Sequence, residues 1–383
     1  MKTNYPLINN NSDFASFCRK AMEMPAVGID TEFVWTRTYY PQLGLLQMAY
    51  SREDGILADP LAITDTAPFR ELMEKPFVRK VFHEASSDLP ILNRWCGAVP
   101  KNVADTRIAG GFCGLTGRMS LAKLLFKQLG VNLNKSETLT DWMQRPLTDA
   151  QLAYAGNDVA YLPELMASLD SMLESFGNKE RFEEEMSRYC QPEFYAEVAP
   201  EDYWRRVSYP KYLRFTLQDF AVFQNLVAWR ERVGRERDIT RNRIAKDATL
   251  AVMAVKHPYT MDEIYRTVGV WPHSVRKYGE EIIEVVKTSM KLPKEAWPLQ
   301  ALPNVDSQLL RIYCERIHSL AKKRAEANGI EASFVCTKHD AQWLVSTLLE
   351  KRDASESLLL NGWRHELLGN SIDKIIEEIK KAR

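Results

Sequence analysis

Long apolar runs are missing from this chain. No stretch approaches the ~18–20 residues needed to span a bilayer, and Met1 to Ser12 is polar and Asn-rich, without the apolar segment of a secretory leader. The expected location is the cytoplasm. Cysteine is sparse and scattered: Cys18, Cys96, Cys113, Cys190, Cys314 and Cys336 form no C-x-x-C pair. That pattern argues against a disulfide framework and against a thiolate zinc site, and leaves thiols that pack as small hydrophobes. Net charge is also missing, with 51 basic and 51 acidic residues. The balance hides a split. Residues 1–200 hold 20 Lys and Arg against 26 Asp and Glu, while 211–290 hold 14 against 10, and 301–383 hold 13 against 12. The acidic first half suits divalent cations and the basic middle suits phosphates, although a mixed charged surface also serves solubility.

A chain of 383 residues divides into two or three domains at roughly 100–200 residues each. The first half alternates strand and helix patterns. Short apolar segments at Ala26–Asp30, Leu43–Tyr50 and Gly55–Asp59 follow closely enough for an antiparallel meander. Helical spacing at 67–74, a strand at Val78–Phe82, a helix from Asp88 to Trp95 and a short strand at Val103–Asp105 come next. From about Ser120 the pattern is mainly helical. The expected fold class is α/β: a mixed sheet flanked by helices in an N-terminal domain, 1–195. A Pro-punctuated stretch makes 196–210 a linker. Two all-helical units follow, 211–292 and 305–383, with a similar order of helices and a Pro-marked boundary at Pro293, Pro298 and Pro303.

Three acidic motifs carry the chemistry. In Asp30-Thr-Glu32 the two acids are two residues apart, so a strand over Val27–Val34 points both to one face. Adjacent carboxylates repel unless a cation lies between them, and oxygen donors suit Mg²⁺ or Mn²⁺. Tyr154 and Asp158 are four apart, one turn of a helix. Asp88 stands where a strand gives way to a helix. There it is either a helix cap or, if Ser86 or Ser87 caps the helix, a free carboxylate. Each motif alone is commonplace on a solvated strand or helix.

Their order is not commonplace. The chain resembles the ribonuclease D family of the DEDD exonuclease superfamily, with a tyrosine in the third motif. The first motif is Asp30-Thr-Glu-Phe33, followed by 36–47. The second lies around His83 and Asp88, and the third is Leu152-Ala-Tyr-Ala-Gly-Asn-Asp-Val-Ala-Tyr-Leu162. Asp105-Thr106 and the segment Lys135–Leu147 resemble boxes typical of ribonuclease D, and the two helical units resemble HRDC domains, giving the N-terminal domain a ribonuclease H-like sheet. The resemblance implies two divalent ions, Mg²⁺ or Mn²⁺, held by Asp30, Glu32, Asp88 and Asp158. It gives Tyr154 the attacking water to orient. It also implies removal of 5′-mononucleotides from RNA with a free 3′ end, such as tRNA precursors and other small stable RNAs, by a monomer without membrane association.

Substrate contacts are expected at Phe33 and Tyr40 by stacking on a terminal base, at Lys135 and Arg145 by phosphate contact, and at His83. Core packing of Phe33, a hydrogen-bonded core position for His83, and a packed turn around Trp142–Leu147 are the plain alternatives. Asp105 is expected to bond backbone near the site. Arg230, Arg232, Arg235, Arg237, Arg241, Arg243 and Lys246 crowd into 17 positions, which describes either a salt-bridged helix or a nucleic-acid contact, with Arg241 and Arg243 as candidates. The second helical unit, almost neutral, is expected to pack on the exonuclease domain. Carboxylates do not distinguish RNA from DNA, so a proofreading-type DNA exonuclease is the first alternative, and a catalytically silent RNA-binding protein the second.

Overall fold

The structure is a computed structural model that describes residues 5–133, 140–210, 212–297 and 307–382. It forms two compact units. The first comprises Met1–Val34, Leu43–Tyr195 and Asn304–Arg383, and the second Trp35–Gln42 with Ala196–Pro303.

The first unit is built on six strands: β1 (Leu7–Ile8), β2 (Ala26–Val34), β3 (Gln42–Ala49), β4 (Gly55–Ala58), β5 (Arg79–Phe82) and β6 (Val103–Asp105), in the order β1-β4-β3-β2-β5-β6. The sheet is mixed. β3 and β4 are antiparallel, with Leu46 opposite Ala58, and β2 and β5 are parallel, with Val27 opposite Lys80. β5 also runs parallel to β6. Helices α1 (Asn11–Ala21), α2 (Ala67–Glu74), α3 (Ala85–Cys96), α4 (Thr106–Phe112), α5 (Leu121–Leu129), α6 (Asp149–Ala160), α7 (Leu162–Ser175) and α8 (Lys179–Ser187) accompany it. The near-continuous apolar character of β3 and β4 reflects burial on both faces.

Local chemistry sets several boundaries differently from the sequence pattern. α3 begins at Ala85, three residues before Asp88, and its cap position is Glu84 at φ 76° with no side-chain cap. Neither Ser86 nor Ser87 serves. The leading donor, Ala85 N–H, goes instead to Asp105 Oδ2 at 2.8 Å, while Asp105 Oδ1 accepts from the Arg107 and Ile108 amides that open α4. One buried carboxylate thus caps two helices. Asp88 lies in the first turn of α3, where the macrodipole tolerates negative charge.

In the second unit, α9 (Leu217–Glu236) opens on a Thr216–Asp219 capping box. α10 (Arg241–Ile244), α11 (Asp247–Lys256), α12 (Met261–Tyr265) and α13 (Pro272–Met290) follow. The helix expected over 244–255 is broken at Ala245, whose backbone is extended. The stretch expected as a linker holds a 3₁₀ helix over Pro200–Arg206 that packs on α9, with Trp204 and Phe220 edge to face at 5.1 Å. Buried Arg230 donates to the Ala245 carbonyl and to Asp247, and buried Glu231 takes Tyr39 and Arg241.

The C-terminal helices α14 (Ser307–Ala327), α15 (Ala332–Val335), α16 (Lys338–Leu349), α17 (Gly362–Leu368) and α18 (Asn370–Ala382) repeat the long–short–long order of α9 to α11. They share a hydrophobic core with the sheet. The place expected as one helix from Leu358 to Leu368 is a 3₁₀ turn, Leu358–Leu360, and then α17, because Asn361 is extended. Gly111 on α4 lets the Phe334 ring approach where any Cβ would collide, and Gly111 O accepts from Glu331 N–H at 2.7 Å. Asn178 Nδ2 donates to the carbonyls of both Phe112 and Asn328.

Candidate active site

β2 lies between β3 and β5, so its side chains emerge mid-sheet. Gly28, Asp30 and Glu32 share one face by the two-residue period. At Gly28 a Cβ would stand 2.8 Å from Leu162 Cβ and 2.9 Å from the Val159 carbonyl. The missing side chain lets the α6–α7 junction rest on the strand, and α6 brings Tyr154 and Asp158 with it. Asp30, Glu32 and Asp158 each offer an oxygen within 4.8 Å of the others.

Asp88 approaches from α3. Its Oδ1 accepts a hydrogen bond from Thr31 Oγ1, and the residue is 4% exposed. Thr31 points to the opposite face of β2 from its neighbours Asp30 and Glu32. The strand therefore presents two acids, and the threonine between them holds a third by its hydroxyl. Asp88 is still close enough for its charge to be felt at both Asp30 and Glu32.

The start of α6 is fixed by a local cap and by contacts farther away in sequence. Thr148 and Gln151 form a capping box, and Gln151 Nε2 donates to Thr140 Oγ1 at 3.0 Å. Arg145 is engaged entirely within the fold. It grips Asp59 through Nε and Nη2 at 2.7 and 2.6 Å and donates to the Gly44, Trp142 and Gln144 carbonyls. Gly44 admits the Trp142 backbone, since a Cβ there would stand 2.7 Å from the Trp142 carbonyl oxygen, and the Trp142 and Tyr154 rings lie 6.3 Å apart. This brace holds Tyr154.

The electrostatics are those of uncompensated negative charge. Among the described residues, no Lys or Arg is ion-paired with Asp30, Glu32, Asp88 or Asp158. Burial first, then the neighbouring carboxylates of Asp88, Asp158 and Glu32, holds Asp30 well above the usual carboxylate range. Burial, with Asp158 and Asp88, pushes Glu32 up to about 8. Burial raises Asp88 to about 7 against the opposing Thr31 hydrogen bond, and raises Asp158 to about 7 against the bond from Tyr154. Burial and the same acids raise the Tyr154 phenol, so it stays protonated as a donor.

A stability dependence follows. Unfolded carboxylates titrate near ~4, so between that pH and about 8 the folded cluster holds protons that the unfolded chain has released. Without metal, stability contributed by these groups is present at low pH and is lost as pH rises through 7 to 8. Thermal midpoints in EDTA at pH 6 and 8.5 should show a fall larger in the wild type than in Asp30→Asn, and added Mn²⁺ should remove the difference. Equal falls in both proteins would count against a strained carboxylate cluster.

The remaining residues singled out in the sequence take varied places. Phe33 is partly buried against the core. Tyr40 is exposed only in part, with its ring edge-on to Tyr39 at 4.8 Å. His83 Nδ1 meets Thr106 Oγ1 at 2.9 Å, and burial holds its imidazole below the usual range. Arg241 bonds Glu231 and the Tyr39 hydroxyl, and Arg243 is exposed. Lys135 lies outside the described residues. Thr31 and the Gly28 and Gly44 approaches were not singled out, although strand parity alone sets Thr31 opposite the acids.

Comparison with known proteins gives the same order of parts. A family model described as 3′-5′ exonuclease matches residues 5–174, and the HRDC domain model matches 219–286. Ribonuclease D of Escherichia coli strain K12 is 33% identical over 378 residues, covering 98% of this chain and 99% of that protein. Ribonuclease D of Desulfotalea psychrophila is 33% identical over 362 residues, covering 94% and 96%. The crystal structure of E. coli RNase D, an exoribonuclease involved in structured RNA processing, is 33% identical in sequence and superposes with a TM-score of 0.88 over 98% of this chain and 99% of that one.

Proposed function

Since the chain belongs to the ribonuclease D family, we propose that its 3′-to-5′ exoribonuclease reaction takes place at Asp30, Glu32, Asp88 and Asp158, with Tyr154 beside them. The observation that carries this reading is the convergence of Asp30, Glu32 and Asp158 oxygens within 4.8 Å, with no Lys or Arg among the described residues ion-paired to them. Such a donor set fits hard divalent cations, Mg²⁺ or Mn²⁺, and four acids suffice for two ions. When bound, divalent cations supply Lewis-acid chemistry: they acidify water and neutralise charge on the departing 3′ oxygen.

The protein's own part is placement. The four carboxylates would hold the cations and so fix where the scissile phosphate rests. Tyr154, kept protonated by burial and by the acids around it, orients the attacking water rather than deprotonating it. Arg145 and Trp142 act on Tyr154 through the α6 brace, and Phe33 offers a ring to the terminal base. The products are 5′-mononucleotides. The substrates in this reading are tRNA precursors and other small structured RNAs with a free 3′ end, met in the cytoplasm by a monomer. In this reading the exonuclease domain is 1–195 and HRDC-type units occupy 211–292 and 305–383.

The test is product analysis. A 5′-labelled RNA in Mg²⁺ should shorten one nucleotide at a time, with nucleoside 5′-monophosphates in solution, and matched DNA should be degraded more slowly. Faster loss of the DNA strand would favour a proofreading-type role. Tyr154→Phe should lower kcat about 100-fold, the lower end of the range for a lost proton-handling group, while RNA affinity in EDTA stays the same. Undiminished kcat would remove Tyr154 from the reaction.

A further inference from the structure

His83, Asp105 and Thr106 bear on one junction, the passage from β5 into α3. Asp105, fully buried, takes the Ala85 N–H that opens α3 and the two amides that open α4. Thr106 Oγ1 donates to the Phe82 carbonyl at 3.1 Å and meets His83 Nδ1 at 2.9 Å. The chain is thus pinned on both sides of His83. Asp88 follows in the first turn of α3. Its backbone is placed by this brace, and the freedom left to it is rotation of its own side chain among a few rotamers.

Thr31 removes that freedom. Its hydroxyl donates to Asp88 Oδ1, and both residues are buried. No other side chain among the described residues donates to this carboxylate. Oδ1 is engaged, and Oδ2 is the oxygen left to face a cation. The distinction bears on the choice of ion. A carboxylate with both oxygens free can bind a cation through the pair, which suits Ca²⁺ with its about 6–8 oxygen ligands in flexible geometry. Mg²⁺ is smaller and demands a near-ideal octahedron, which the narrow bite of a carboxylate pair does not fit. The plain alternative for a buried strand threonine is packing, since β-branched residues suit a pleated surface. Packing needs the branched shape, whereas holding Asp88 needs the hydroxyl.

We propose that Thr31 is a positioning residue for cation choice: its hydroxyl holds Asp88 as a one-oxygen ligand, which favours Mg²⁺ or Mn²⁺ over Ca²⁺ at the carboxylate site. This rests on the reading of Asp30, Glu32, Asp88 and Asp158 as the cation site and adds to it the residue that decides which cation is preferred. Thr31 touches neither ion nor substrate and acts through Asp88 alone.

The experiment is calorimetric titration of the metal-free, full-length protein with Mn²⁺ and, separately, with Ca²⁺. Thr31→Val keeps the shape and removes the hydroxyl, while Thr31→Ser keeps the hydroxyl and removes a methyl. The Val variant should bind Mn²⁺ about 10-fold more weakly, the low end of the loss when a metal ligand is deprived of its outer partner. Its Ca²⁺ affinity should fall less, so the ratio of Ca²⁺ to Mn²⁺ affinity rises. The Ser variant should hold both affinities within about twofold of wild type. In an Asp88→Ala background, Thr31→Val should change neither affinity further, since a residue that acts through one partner has no separate effect once that partner is gone. Should the Val variant not fold, Thr31→Ala, which sets no methyl against the carboxylate, takes its place. A packing role gives the reverse ranking, with Ser impaired and Val like wild type, and overturns the proposal. So does an equal loss of the two ions, or a Val effect that persists without the Asp88 carboxylate. Failure of the underlying reading looks different: wild type and Asp30→Asn would then bind Mn²⁺ alike. Mn²⁺ binding that depends on Asp30 but not on Thr31 leaves the cation site in place and removes only the role of Thr31.

Discussion

Asp158→Asn is expected to change activity and stability in opposite directions. Hydrolysis should fall at least about 10³-fold, the equivalent of roughly 4 kcal/mol of transition-state stabilisation, because a neutral amide holds a divalent cation far less well than a carboxylate. The folded metal-free protein should become more stable at pH 8. Asp158 is pushed up to about 7 by burial and faces Asp30 and Glu32 with no cation between them, so its charge works against the fold. Removing that charge relieves Glu32 as well, which burial and then the Asp158 carboxylate push up to about 8. A residue kept only for packing would behave in the reverse way, with stability lost and activity following it. Thermal midpoints in EDTA and steady-state rates in Mg²⁺ on one preparation separate the two cases.

Trp363→Ala is expected to lower the unfolding free energy of the first unit by about 3–5 kcal/mol, the usual cost of emptying a large aromatic site. The indole is 2% exposed and meets Phe112 edge to face at 5.1 Å. Its Nε1 donates to Glu185 Oε2 at 3.1 Å, and the same oxygen takes Arg364 at 2.8 Å. Glu185 itself is 5% exposed. Losing the indole therefore opens a cavity and takes one donor from a buried carboxylate. Leu358→Ala, at a 52% exposed position in the 3₁₀ turn just before that helix, should move the denaturation midpoint little. If the two substitutions cost the same, the C-terminal helices are an appendage rather than part of the exonuclease core.

What the sequence made legible, it did through local periods. Two residues along a strand put Asp30 and Glu32 together, and four along a helix put Tyr154 and Asp158 together. Motif order then joined the two pairs, and the helical character of the second half followed from apolar spacing. The remainder depends on partners distant in the chain. α3 starts at Ala85 because Asp105, 20 residues on, supplies the cap. Arg145 reads as a phosphate contact until Asp59, 86 residues away, is seen to hold it. Gly28, Gly44 and Gly111 look like ordinary small residues, and only the helix, turn or ring that approaches each one explains it. The charge run after Arg230 offered a choice between salt-bridged helix and nucleic-acid surface, and Arg230, Arg232, Arg235, Arg237 and Arg241 take the first course, each beside a carboxylate well away from it in the chain.

The most direct test of the central claim is an anomalous-scattering crystal structure of the protein soaked in Mn²⁺, carried out on the wild type and on Asp158→Asn. The account predicts manganese bound by the carboxylates of Asp30, Glu32, Asp88 and Asp158 in the wild type, and loss of at least one ion in the variant, in step with its lost hydrolysis. Manganese absent from these four acids in a protein that still degrades RNA would contradict it.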